Sequence, residues 1–120
     1  MIQSYRDLIV WRKSMDLVTA IYEITEKFPK SEMYGLMTQM RRSSTSIPSN
    51  IAEGRKHSSK AEFRRCLTIA FGSGAELETQ IEIAKRLPFG KKLDFSKAES
   101  LLEEVMKMLN VLMQKLNSSS

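Results

Sequence analysis

The sequence predicts an all-α fold, an antiparallel up-down-up-down four-helix bundle, on three observations. Four stretches carry apolar side chains at helical spacing, serine, glycine or proline stands at their ends, and the joints between them are short. Short joints make consecutive helices antiparallel neighbours. No run alternates apolar and polar residues in the manner of a half-buried strand.

The first helix is expected over residues 7 to 28. One apolar series runs through Leu8, Trp11, Met15, Val18 and Tyr22, and a second through Val10, Leu17, Ile21, Ile24 and Phe28. At about 100° per residue the two merge into an arc of roughly 200°, opposite Arg12, Lys13, Asp16, Thr19, Glu23 and Lys27. Ile9, Ser14 and Thr25 depart from the pattern. An arc this wide exceeds the stripe of about 100° that a surface helix needs for its own core, so a homo-oligomer is expected, with the surplus against another subunit. Pro29 ends the helix, because the residue before a proline is pushed out of the helical region.

Ser31 is expected to cap a second helix that runs to about Glu53 with Leu36, Met37, Met40, Ile47 and Ile51 on its apolar side and Gly54 as its stop. Pro48 lies inside it. An interior proline removes a backbone hydrogen bond at about 3 kcal/mol, so a kink is expected there, or a break with helix resuming at Ser49. The third helix begins at Ser59, where Ser59-Lys60-Ala61-Glu62 has the form of a capping box. Phe63, Leu67, Ala70, Leu77, Ile81 and Ala84 line one face of it up to Pro88. Gly72 and Gly74 are interior glycines costing about 1 kcal/mol each relative to alanine, which predicts close approach of a neighbouring helix. Phe89 to Leu93 forms a loop, and a second Ser-Lys-Ala-Glu, Ser96 to Glu99, is expected to cap the fourth helix. Leu102, Val105, Leu109, Leu112 and Leu116 make its stripe, and residues 118 to 120 a frayed tail.

The chain of 120 residues fits one domain, residues 1–120, with 42% apolar and 28% charged residues, an ordinary globular composition. No stretch approaches the ~20 uninterrupted apolar residues of a membrane span, and the first residues lack the pattern of a secretory signal. The single cysteine, Cys66, cannot close an intramolecular disulfide. A cytoplasmic protein without membrane contact is the expectation.

Residue types that carry chemistry are sparse. A di-metal carboxylate bundle needs repeated Glu-x-x-His pairs, and the one histidine, His57, falls in a loop. Cys66 reads as a small buried hydrophobe rather than a nucleophile paired with His57. Gly72-Ser73-Gly74 sits mid-helix, where its amides are already bonded, so it is no phosphate-cradling loop. The chain therefore reads as non-enzymatic, with no catalytic residue, metal or cofactor. Arg41, Arg42, Asn50, Glu53, Glu76 and Gln80 form either a buried or interfacial polar network or solvated bundle edges. Met15, Met37, Met40, Met106, Met108 and Met113 read as core packing.

The net charge of +5 is unevenly placed. In an up-down-up-down bundle one end gathers residues 1–16, 48–68 and 107–120, which hold ten basic and four acidic side chains, against nine and ten elsewhere. That concentration makes Arg55, Lys56, His57, Lys60, Arg64 and Arg65 the candidate contacts to nucleic-acid phosphates, His57 only when protonated. Solubility and an acidic or helical protein partner are the competing explanations of the same charge, the latter making the protein an interaction adaptor.

Several segments bear a specific resemblance: Asp7 to Lys13, Phe28-Pro29, Tyr34-Gly35-Leu36, Gln39 to Arg42, Ser46 to Gly54, Glu62-Phe63, Ile69-Ala70, Gly72-Ser73 and Glu76 to Thr79. Together, over roughly residues 5 to 90, they resemble the bacterial four-helix-bundle family named after reading frames in the intervening sequences of 23S rRNA genes. The fourth helix shares only its amphipathic character. The resemblance implies a four-helix protomer in a homo-oligomeric ring, a pentamer, in the bacterial cytoplasm, and the family's ribosomal name records where its genes lie. A more distant likeness of architecture, to the accessory protein of diversity-generating retroelements, points to RNA by fold analogy alone.

Overall fold

Only the inner of the two apolar series on the first helix enters the core. In this computed structural model, which describes residues 4–57 and 59–118 (118 by its backbone alone), α1 spans Ile9–Thr25. Val10, Leu17, Ile21 and Ile24 are buried, followed by Phe28 past the helix end. Met15 and Tyr22, from the other series, remain 41% and 42% exposed. Ser14 and Thr25, which broke the apolar pattern, are nevertheless buried, because each hydroxyl donates back to a carbonyl of its own helix, Trp11 O at 2.7 Å and Ile21 O at 2.6 Å. A 3-10 turn, Tyr5–Asp7, leads in, with Ser4 and Asp7 bonding each other's end of the turn.

Three further helices follow, α2 at Leu36–Lys56, α3 at Lys60–Arg86 and α4 at Ser96–Ser118, with 3-10 turns at Lys30–Glu32 and Gly90–Lys92 and no strand among the described residues. Cross-helix pairs run in opposite chain directions, as an up-down-up-down bundle requires. Ser46 meets Ser73 at 2.8 Å and Ser43 meets Glu76 at 2.9 Å between α2 and α3, and Lys13 meets Glu104 while Glu23 meets Lys97 between α1 and α4. Each helix packs on two neighbours and none on the diagonal one, so the four stand at the corners of a square in a rod of 48 × 22 × 21 Å. One core runs its length, and Phe28, Phe89 and Phe95 close one end with edge-to-face contacts at 4.8 and 6.3 Å.

Five local expectations are corrected. Ser31 caps nothing on α2: it lies in the preceding 3-10 turn, and the first amide of α2, Leu36 N, donates to Glu32 Oε1 instead. Pro48 does not break α2, the second of the two outcomes expected there. The helix is continuous, with Ser49 Oγ and Asn50 Nδ2 donating to Thr45 O and Ser46 O around the missing bond, and Pro48 itself is buried. Packing thus outweighs the local cost of about 3 kcal/mol. Gly54 is not the stop of α2 but a buried interior position. A Cβ there would lie 2.7 Å from Cys66 Cβ and 3.0 Å from Phe63 Cδ1, so its lack of a side chain lets α2 and α3 close on each other beside their hairpin. The second Ser-Lys-Ala-Glu is no cap either, because α4 starts at Ser96 itself and the Ser96 amide donates to Asp94 Oδ1 at 2.9 Å. That bond holds the Asp94 carboxyl below its ordinary range. By contrast Ser59 does cap α3, accepting from Glu62 N at 3.0 Å.

The fifth correction concerns the paired glycines. Gly74 is buried, and a Cβ would sit 2.3 Å from Met106 Sδ on α4, as a close approach requires; Gly72 is exposed with nothing within 4 Å. The two should therefore respond oppositely. Gly74→Leu should cost about 2–3 kcal/mol through overpacking, and Gly72→Ala should gain about 0.5–1 kcal/mol by restricting the unfolded chain. Thermal melts followed by circular dichroism check both, and equal shifts would show that the α3–α4 contact does not constrain Gly74.

The expected polar network divides into separate groups. Arg41 joins α1, with Nε on Thr25 Oγ1 at 2.9 Å, an ion pair to Glu26 at 3.1 Å and its guanidinium 4.4 Å over the Tyr22 ring. Asn50 bonds Ser46 and Glu76 bonds Ser43, whereas Arg42 is exposed. Gln80 is buried with Oε1 unpartnered among the described residues.

Candidate nucleic-acid interface

Cations collect at the end of the rod where α2 stops and α3 starts, because only residues 57–59 separate these two helices. Arg55 and Lys56 occupy the last turn of α2, where positive charge complements the helix dipole. His57 terminates it, its N–H donating to Gly54 O at 3.2 Å, and its side chain is exposed. Lys60 opens α3, and Arg64 stands one turn on. The C-terminal turns of α4 reach the same end: Arg64 Nη1 lies 3.4 Å from Leu116 O, and Thr68 is beside Met113. Lys56 and Lys60 are exposed and Arg55 and Arg64 half-buried.

Arg65 differs from the other five candidates. Its Nε donates to Glu62 Oε1 at 2.9 Å, and its Nη2 lies 3.8 Å from Glu53 Oε2. The hydrogen bond from Arg65 holds the Glu62 carboxyl below its ordinary 4.5 and raises the guanidinium in turn. A carboxylate held low contributes its pairing above its ordinary value and loses it as pH falls through the lowered one. Arg65 is therefore paired with two acids of its own chain, which offset its charge towards a phosphate. Lys13 and Lys107 are likewise paired, with Glu104 at 3.2 Å and Glu103 at 3.1 Å, acids from the adjoining turns of α4. Counting these two α4 acids with this end lowers its excess of positive charge from six to four.

The same pairing decides the chemistry of Cys66. Donor atoms of Glu53, Glu62 and Cys66 lie within 4.8 Å of one another, a spacing that could suit a cation, but the Arg65 guanidinium already occupies that role. The Cys66 thiol is buried, and burial pushes its pKa up, so it is held as the neutral thiol and not as a nucleophilic thiolate.

Two features of this end escaped sequence reasoning. Tyr5 and Trp11 pack edge-to-face at 5.1 Å in a groove between α1 and α2 that also takes in Met15, Val18, Pro48 and Ala52. Arg6 lies 4.8 Å over the Tyr5 ring. Helical spacing marked Trp11, Met15 and Val18 as apolar, but only the antiparallel register of α1 on α2 shows that Pro48 and Ala52 oppose them.

The sequence pattern of the 23S rRNA-intervening sequence protein family matches residues 6–111, which spans all but the last turns of the bundle. The chain belongs to that family. Among solved structures, this 23S rRNA-intervening sequence protein is similar to the crystal structure of a protein with unknown function from the S23 ribosomal protein family of Bacteroides thetaiotaomicron, with a TM-score of 0.76 at 25% identity over 88% of this chain and 96% of that one. A comparison with curated protein sequences finds no match. The resemblance read from Asp7 to Thr79 is thus shown, and the matched region extends beyond it into α4.

Proposed function

We propose that this 23S rRNA-intervening sequence protein is a non-enzymatic, cytoplasmic scaffold that assembles as a homo-oligomeric ring, a pentamer, and contacts RNA through its basic end. The observation that carries the RNA reading is the placement of Arg55, Lys56, Lys60 and Arg64 around a single three-residue hairpin, with His57 between them. Phosphate contact needs positive charge on an accessible surface and no base-specific geometry. No aromatic residue falls between Gly54 and Glu62, so base stacking does not contribute there and binding is only weakly sequence-specific. The family name agrees with an RNA partner. Fluorescence anisotropy with single-stranded and structured RNA tests the reading: saturable binding weakened by salt supports it, and no binding at low salt removes it.

The ring reading rests on the outer series of α1. Met15 is exposed and with Trp11 and Val18 borders the α1–α2 groove, and Tyr22 is exposed further along the same helix, an apolar face that a neighbouring subunit would cover. Light scattering should give an oligomer for the wild type and a lower mass for Met15→Glu with Val18→Glu. A wild-type monomer at micromolar concentration would refute assembly, and a stable dimer would refute the pentamer alone.

A further inference from the structure

A second groove lies between the start of α1 and the end of α4. Its floor is apolar, formed by Leu8, Ile9 and Val10 on one side and Met108, Val111 and Leu112 on the other, and the shallow depression, open to solvent, offers about 640 Å³. Ile9 is 60% and Val111 50% exposed, large aliphatic side chains facing water on two neighbouring helices. The rim carries Arg12 on α1 and Lys107 and Lys115 on α4, with Asp7 as the acid. Asp7 is engaged in its own turn, accepting from the Ser4 amide at 3.2 Å. Lys107 is held by Glu103 one turn away, an exposed pair that another carboxylate can readily replace. The trough is thus apolar within and cationic along both walls.

We propose that this groove docks an amphipathic helix of a partner protein, one that places aliphatic anchors in the trough and acidic residues along its edges. The trough runs along two antiparallel helices, which suits a helix laid lengthwise with anchors at i, i+3 or i+4 and i+7. Lys107 and Lys115 lie two turns apart, about 12 Å along α4, so carboxylates spaced by two turns of the ligand helix reach both. Charge complementarity selects this occupant over the others. A second copy meeting groove to groove would set Arg12, Lys107 and Lys115 against themselves, and a copy seated head-to-tail, as in a ring, is what a lower oligomeric mass of the Ile9/Val111 variant would reveal. RNA would find no aromatic ring to stack on and would desolvate phosphates over an aliphatic floor. The surface goes beyond the RNA reading and stands whether or not the hairpin cations bind phosphate.

The test uses the full chain and a fluorescein-labelled peptide of about five helical turns, with leucines at the anchor spacing flanked by glutamates, beside a matched peptide with lysines in place of the glutamates. The glutamate peptide should bind saturably and the lysine peptide at least about tenfold more weakly. Ile9→Glu with Val111→Glu, both exposed positions, should abolish binding with helicity retained and RNA affinity unchanged. Lys107→Glu with Lys115→Glu should reverse the preference between the two peptides, a result that misfolding cannot produce. Absent binding of the glutamate peptide, or equal binding of both peptides, overturns the proposal. So does a lower oligomeric mass of the Ile9/Val111 variant by light scattering, which makes the groove a subunit seam. Displacement of the peptide by phosphatidylglycerol vesicles overturns it in favour of an anionic lipid surface.

Discussion

Replacing Gly90 with alanine should destabilise the bundle by about 3 kcal/mol or more, which for a chain of this length is a fall in Tm of about 10 °C or more. The reason is space and not conformation, since no glycine of the described chain has a positive φ. A Cβ on Gly90 would lie 1.7 Å from Ala84 O and 2.6 Å from Ala84 C. Those are backbone atoms of α3, with no rotamer available to move aside. Relief would require the turn at Gly90–Lys92 to lift off the helix, breaking the Gly90 N–H bond to Leu87 O at 2.9 Å. It would also drag Phe89 and Phe95 away from Phe28, opening the aromatic closure at that end. Chemical or thermal unfolding followed by circular dichroism measures this. A melting temperature equal to wild type would show that the α3–α4 connection packs less closely than described. Gly74 is a milder case, because the atom in the way there belongs to the flexible Met106 side chain.

The glycines and serines show where sequence reasoning reaches and where it stops. Periodicity located all four helices and most of the core, from Leu17 and Ile21 through Leu67 and Leu77 to Val105 and Leu109, because burial of an apolar stripe is written at fixed spacing along one chain. Which of two glycines touches a neighbour is not local: Gly72 and Gly74 read alike, and only the register of α3 on α4 sets Met106 against one of them. Gly54 and Pro48 misled for the same reason, since each carries a stop or break signal that tertiary packing overrides. At the basic end, the gathering of charge followed from topology alone. The Glu62–Arg65 pair, three residues apart on one helix, was legible in the spacing, whereas the approach of Glu53 from α2 across the hairpin was not. The trough between α1 and α4 was hidden for a further reason. Ile9 looked like an exception to its own helix, and Val111 lies outside the stripe of α4.

Reversing Arg55, Lys56 and Arg64 to glutamate should abolish RNA binding and leave the fold in place. The change alters the charge of the hairpin by six, and none of the three side chains forms an ion pair within the described protein. Lys56 is exposed and Arg55 and Arg64 are half-buried at the surface, where a charge contributes typically about 1 kcal/mol or less to folding, the helix-dipole contribution of Arg55 and Lys56 included. Arg64 gives up only a long contact to Leu116 O at 3.4 Å. Helicity and light-scattering mass should therefore match the wild type. If each protomer neutralises about three phosphates, the log–log salt slope is about −2 on a single strand, so affinity falls about sixteenfold over a fourfold rise in salt, and a ring multiplies the contacts.

The most direct measurement is an anisotropy titration of single-stranded RNA with wild type and this triple variant, each at low salt and at fourfold higher salt. The account predicts salt-sensitive binding by the wild type and none by the variant. Equal affinity of the two proteins, or wild-type binding indifferent to salt, would contradict the assignment of RNA contact to the basic end.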